Sequence, residues 1–98
     1  MSKKIVFMGT PEFAVPTLEA LKNSKNEILA VYSQPASRAN RGQKLFDSKI
    51  GSLAKKLSLN LRTPKTLDND TEYKFFNSLK PDIGVVVAYG QIIPKKFL

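Results

Sequence analysis

The chain has 98 residues, is 42% hydrophobic and carries a formal net charge of +8. That suits one small globular domain and is too apolar for a disordered one. No cysteine and no histidine occur, which removes disulfides, thiol nucleophiles and ordinary zinc sites from this segment. Every apolar run falls far short of the roughly 20 residues that span a bilayer. Two lysines open the chain, but only Ile5–Met8 follows before Pro11 and Glu12, so a secretory signal is not expected. These features fit a cytoplasmic protein.

Lys4–Met8 is predicted as a strand leading into Gly9-Thr10-Pro11, its continuous apolar run Ile5-Val6-Phe7-Met8 reading as buried and parallel. A helix is predicted from Glu12 or Phe13, with Thr10 as its cap and Pro11 and Pro16 confined to the first turn. Residues 28–32 read as the second strand. Residues 33–47 read as a loop, long enough to expect a function for it. A second helix is predicted over 48–57, with Ile50, Leu53, Ala54 and Leu57 on one face, then a short edge strand over 60–63. Asp68 or Asp70 is predicted to cap a third helix that turns Tyr73, Phe76 and Leu79 to the sheet. Residues 83–87 are the fourth strand, and Pro94 is placed to open another helix. This alternation predicts an α/β fold, a Rossmann-like open parallel sheet in strand order 3-2-1-4 that stops after its fourth strand.

In such a sheet ligands meet the carboxyl ends of the strands. Two turns are expected there, Gly9-Thr10-Pro11 and Ala88-Tyr89-Gly90. The first is no dinucleotide fingerprint: only Gly9 is present, with Pro11 and Ala14 at the other glycine-demanding positions. In the second, Gly90 relieves the backbone, and Tyr89, Ile92 and Ile93 either line an apolar slot for a flat heterocycle or form an ordinary strand-to-helix link. The charge concentrates in residues 33–65, where eight lysines and arginines face Asp47 alone. That segment reads equally as a phosphate-binding surface or as a solvated one, with Arg41 paired to Asp47 in the second case. No nucleophile, metal cluster or paired carboxylate is expected at the strand ends.

Three stretches then agree with one family. The first is Ile5-Val6-Phe7-Met8-Gly9-Thr10-Pro11-Glu12-Phe13-Ala14-Val15-Pro16. The second is Val31-Tyr32-Ser33-Gln34-Pro35 with Arg41-Gly42-Gln43-Lys44-Leu45. The third is Pro81-Asp82 through Val87 with Ala88-Tyr89-Gly90-Gln91-Ile92-Ile93-Pro94. In order and spacing the chain resembles the N-terminal part of the methionyl-tRNA formyltransferases. A formyltransferase acting on a sugar nucleotide would share the fold and the folate slot, but is not expected to carry the basic loop in this form.

The resemblance implies transfer of a formyl group from 10-formyltetrahydrofolate to the amine of methionyl initiator tRNA, without a metal or a membrane. It implies that Gly9, Thr10 and Pro11, with Arg38, Arg41, Gly42 and Lys44 of the basic loop, lie toward the tRNA. It assigns Tyr89, Gly90, Gln91, Ile92, Ile93 and Pro94 to the folate pocket. The family's catalytic asparagine, histidine and aspartate lie downstream of the matched part, so no catalytic residue is expected in this chain. Residues 1–98 are expected to be the N-terminal portion of the formyltransferase domain, without the C-terminal tRNA-binding domain. The chain is expected to be a gene fragment, a truncated sequence or one half of a split gene whose remainder is a separate chain, and on its own to be inactive with at most weak tRNA or folate binding. Ala36, Asp47 and Lys49 depart from the family pattern and put the loop's conformation in question.

Overall fold

The computed structural model describes residues 2–39 and 44–97. β1 (Lys4–Gly9) leads through a 3₁₀ turn (Glu12–Ala14) into α1 (Val15–Asn23) and then β2 (Glu27–Tyr32). β3 (Ser37–Ala39) and β4 (Lys44–Phe46) precede α2 (Lys49–Lys56), β5 (Leu61–Arg62), α3 (Asp70–Leu79), β6 (Ile83–Val87) and a closing 3₁₀ turn (Lys95–Phe97). The main sheet runs β5-β2-β1-β6 with every pairing parallel. It is the predicted 3-2-1-4 order and an α/β Rossmann-like fold.

β1 lies between β2 and β6, with Phe7 opposite Val31 on one side and Val85 on the other. Helices cover both of its faces, so its apolar run has no polar alternation. Phe7 and Val31 pack with Ala14 and Leu18 beside α1 and with Ile50 and Ala54 of α2. Val6, Met8, Ala30 and Tyr32 pack on the opposite face, under α3, with Leu67, Tyr89 and Phe97. Tyr73, Phe76 and Leu79 of α3 close that second core, as their spacing predicts. Phe97 joins it edge to face with Tyr73, ring centroids 5.7 Å apart.

Residues 33–47, predicted as a loop, contain a two-stranded antiparallel hairpin with Ser37 opposite Phe46 and Ala39 opposite Lys44. Each strand has three residues, too short for a periodic signal to show in the sequence. Thr10 caps no helix. α1 begins at Val15 without a side-chain cap, and Pro16 falls in its first turn, where no N–H is missed. Ser48, predicted inside the second helix, is its cap, accepting from the Gly51 amide at 2.9 Å. At α3 the cap is neither Asp68 nor Asp70 but Asn69 between them, whose Oδ1 accepts from the Glu72 amide at 2.7 Å.

Asp82 joins the amino ends of β1 and β6: its Oδ2 accepts from the Lys4 amide at 2.8 Å and its own amide donates to the Lys4 carbonyl at 2.8 Å. Arg62 at the end of β5 grips Glu72 of α3 in a forked ion pair, with Nε to Oε1 at 2.9 Å and Nη2 to Oε2 at 2.5 Å. The same guanidinium lies 4.0 Å from the centroid of the Phe75 ring. The Glu72 side chain is only 7% exposed, so truncating its partner would strand a buried carboxylate. Arg62→Met is therefore expected to cost about 2–4 kcal/mol, read as a lowered urea midpoint at unchanged m-value. A loss under about 0.5 kcal/mol would mean that the pair behaves as a surface one.

Candidate functional site

The carboxyl ends of the four parallel strands are sewn together by neutral groups. The Thr10 hydroxyl, just past β1, donates to the Tyr89 carbonyl beyond β6 at 2.6 Å. The Gln34 amide, past β2, donates back to the Thr10 hydroxyl at 3.3 Å. The Gln34 side chain reaches across the rim, its Nε2 donating to the Gly90 carbonyl at 2.8 Å and its Oε1 accepting from Gln91 Nε2 at 2.8 Å. That Gln91 nitrogen also donates to the Pro64 carbonyl beyond β5 at 2.9 Å. Two main-chain carbonyls thus fix the orientation of both side-chain amides, since each can accept only from an NH₂ group.

Glycine is required at two points of this seam. Gly90 has φ +96°, and a Cβ there would lie 2.7 Å from Gln34 Nε2. At Gly9 a Cβ would approach the Val87 carbonyl oxygen to 3.0 Å and the Phe7 ring to 2.8 Å, so the ends of β1 and β6 are close only because the side chain is absent. Between them Ala88 holds φ +50°, a strained conformation for a residue with a Cβ.

Gly9, Thr10 and Pro11 stand at the rim beside Tyr89–Pro94. The Tyr89 side chain does not face outward: it is 2% exposed and packs in the core under α3, leaving its main-chain carbonyl at the rim. Burial and then the nearby Glu72 carboxylate push the Tyr89 phenol up to about 12. The same two causes raise the Tyr32 phenol, against a smaller opposing effect of Arg62. Ile92 is 90% exposed, whereas Ile93 packs against the core. A depression of about 520 Å³ opens beside Gln91, Ile92 and Pro94, bounded across the rim by Lys65, Thr66 and Asp68. A second, also about 520 Å³, lies between the first turn and the base of the hairpin, lined by Thr10, Pro11, Gln34, Pro35, Phe46 and Lys49 among others.

Arg38 lies on β3 and Lys44 on β4. Arg41 and Gly42 lie outside the described residues. Asp47 pairs with Lys55, Oδ2 to Nζ 2.8 Å. Sequence reasoning assigned no role to Gln34 beyond its place in a matched stretch, nor to Ser33 and Ser48, whose hydroxyls share a hydrogen bond between the end of β2 and the start of α2. The available signals were the polar pair directly after β2 for Ser33 and Gln34, and a serine at the start of the second helix for Ser48. Among the described residues no cluster of three or more histidine, cysteine, aspartate or glutamate side chains is placed to hold a metal ion. No helix among them is long and apolar enough to cross a membrane.

These features define an α/β protein whose open parallel sheet presents a rim of amides, carbonyls and one hydroxyl at the carboxyl ends of its strands. Residues 3–98 match the family model described as formyl transferase. Over its whole length the chain is 50% identical to a methionyl-tRNA formyltransferase of Pelagibacter ubique, covering 32% of that protein. It is 46% identical to those of Mesorhizobium japonicum and Coxiella burnetii, covering 31% of each. The chain belongs to the formyl transferase family. It spans about a third of the length of the relatives it matches, and corresponds to their N-terminal part.

Two outcomes are expected. Thr10→Val keeps the side chain's shape but removes its hydrogen bonds to Tyr89 and Gln34. It should cost about 1–2 kcal/mol and speed amide exchange in residues 89–92 by roughly 5–30-fold, whereas unchanged exchange there would show that the seam does not hold this loop. The two raised tyrosines set the alkaline limit. The unfolded chain releases their protons near pH 10 and the folded chain holds them higher, so their contribution is whole below about pH 9 and is lost as pH rises through about 12. Urea midpoints should be flat from about pH 8 to 9 and fall above about pH 10, with absorbance at 295 nm from these two phenolates growing only as the fold is lost. Ionisation of all three tyrosines near pH 10 in the folded chain would contradict this burial.

Proposed function

We propose that this chain is the N-terminal portion, residues 1–98, of a methionyl-tRNA formyltransferase working in the cytoplasm. The reaction is transfer of the formyl group of 10-formyltetrahydrofolate to the amino group of methionyl initiator tRNA: the amine attacks the formyl carbon and tetrahydrofolate leaves. The observation that carries this reading is the rim itself, where the segments assigned to the two substrates meet in the Thr10–Tyr89 hydrogen bond. The names of the relatives and the identity with them, without large gaps over the full chain, support it.

On this reading Gly90–Pro94 edges the folate slot. The depression beside Gln91, Ile92 and Pro94 fits such a ligand: it mixes apolar surface with polar groups, and Gln91 keeps a buried Oε1 that no protein donor among the described residues reaches. Lys65 at its border suits an anionic tail. On the same reading the second depression and the basic segment around Arg38, Arg41, Gly42 and Lys44 belong to the tRNA side, where arginine and lysine suit its phosphates. Catalysis requires an oriented carbonyl-polarising group and a base that this chain does not supply, so the chain alone binds without turning over. Those groups belong to the remaining part of the enzyme, carried on the same polypeptide or on another.

The test joins this chain to the remaining two-thirds of the Pelagibacter ubique relative. The chimera should formylate methionyl-tRNA from 10-formyltetrahydrofolate, and Arg41→Ala should lower kcat/KM by about 10–100-fold with a shallower salt dependence. The 98-residue chain alone should show no turnover. A chimera that formylates a sugar nucleotide and not tRNA would replace this reading.

A further inference from the structure

Gln34 belongs to both depressions at the rim. It lines the one between the first turn and the base of the hairpin. Its side chain also crosses to the turn after β6, where Gln91 borders the other. There its carboxamide meets two opposite demands: Nε2 donates to the Gly90 carbonyl at 2.8 Å, and Oε1 accepts from Gln91 Nε2 at 2.8 Å. Of the long side chains, only glutamine presents a donor and an acceptor side by side at neutral pH.

The turn cannot set its own conformation. Gly90 has φ +96°, and glycine takes either sign of φ at little steric cost. Ala88 holds a strained φ of +50°, which persists only where its surroundings over-determine it. Among the described residues, two side chains hold the carbonyls of this turn, Thr10 on Tyr89 and Gln34 on Gly90. The peptide bonds are trans and planar, so fixing the Gly90 carbonyl also fixes the Gln91 N–H, which faces away from Gln34. No main-chain acceptor among the described residues takes that N–H. The second contact, to Gln91 Nε2, fixes the side chain of the same residue. Gln34 therefore orients Gln91 at both its main-chain and its side-chain amide.

We propose that Gln34, although it stands on the hairpin side of the rim, is a positioning residue for the folate slot: its paired hydrogen bonds to Gly90 and Gln91 hold the Gln91 amides in the orientation that receives the formyl donor. The identity of that ligand rests on the formyltransferase reading, whereas the restraint on the turn does not.

Two variants test it. Gln34→Met keeps the length and removes both hydrogen bonds. Gln34→Glu keeps the shape and the acceptor but sets a carboxylate against the Gly90 carbonyl, which raises the pKa of the introduced carboxyl. Protonation then restores an O–H donor beside a C=O acceptor. Among the described residues, the charged groups around these two glutamines come in opposite signs, Asp47 and Lys49 beside Gln34 and Asp68 and Lys65 beside Gln91. The chimera with the remaining two-thirds of the Pelagibacter ubique relative is titrated with 10-formyl-5,8-dideazafolate, an analogue of the formyl donor that cannot cyclise in acid. At neutral pH both variants should bind it about 5–30-fold more weakly than the parent, with KM for methionyl-tRNA changed less than about twofold. At about pH 5 Gln34→Glu should regain most of the affinity that the parent shows at that pH, and Gln34→Met should not. In the 98-residue chain itself, the carbonyl carbon resonance of Gly90 should move in both variants while cooperative melting persists, and in Gln34→Glu it should return toward the parent position on acidification.

Parent-like affinity in both variants overturns the proposal, as does a loss in Gln34→Glu that acid leaves unchanged. A larger loss for methionyl-tRNA than for the analogue also overturns it and places Gln34 with the hairpin. The two readings fail separately. A parent chimera that does not bind the analogue counts against the formyltransferase reading, and the Gly90 resonance then decides on the restraint: a position unmoved by either variant rejects the role of Gln34.

Discussion

The central position of β1 governs the rest of the molecule. Strands that run parallel cannot be joined by a tight turn, so each neighbour of β1 must return by a crossover. One neighbour is local, β2 after α1. The other, β6, comes from the far end of the chain, and pairs Phe7 with Val85 across 78 positions of sequence. Because all four strands point the same way, their carboxyl ends fall on one rim, and the segments after each of them can meet. The seam of Thr10, Gln34, Pro64, Tyr89, Gly90 and Gln91 is the consequence. At the other end Asp82 closes the same pair of strands through the Lys4 backbone, so β1 and β6 are fixed at both ends.

Such an order makes the early part of the chain dependent on the late part. With β6 in place only glycine fits at Gly9, against the Val87 carbonyl and the Phe7 ring, and at Gly90, against the Gln34 side chain. The strain at Ala88 is held by the hydrogen bonds that flank it, through the Tyr89 and Gly90 carbonyls. A strained residue is retained where its neighbours over-determine its conformation. Here that conformation turns Tyr89 into the core and leaves its carbonyl at the rim.

The sheet order was legible because it rests on strong patterns: two continuous apolar runs, a third at 28–32, and helices of clear periodicity between them. Other features were hidden for identifiable reasons. The hairpin strands are three residues each, below the length at which alternation is informative. Asp68, Asn69 and Asp70 can all cap a helix, and only the backbone angles at Asn69 select among them. Thr10 looked like a helix cap because its local sequence allows it, but its acceptor is 79 residues away. Tyr89 looked like a slot residue because the positive φ at Ala88, which turns the next side chain inward, leaves no mark in an Ala-Tyr-Gly sequence. In each case the local reading was chemically sound and a tertiary partner decided otherwise.

The chemistry at the rim also limits what this chain can contribute on the proposed reading. Hydroxyl, carboxamide and peptide groups do not titrate near neutral pH, and the buried phenol next to them is pushed up to about 12. A proton must leave the attacking amine during formyl transfer, and a group poised near neutrality is the efficient acceptor. No group of the seam meets that requirement. Fixed neutral dipoles instead meet a different one: they bind and orient without reorganising as charge develops nearby. On the proposed reading this chain therefore sets substrate position and affinity, and the pH dependence near neutrality arises from groups that it does not supply.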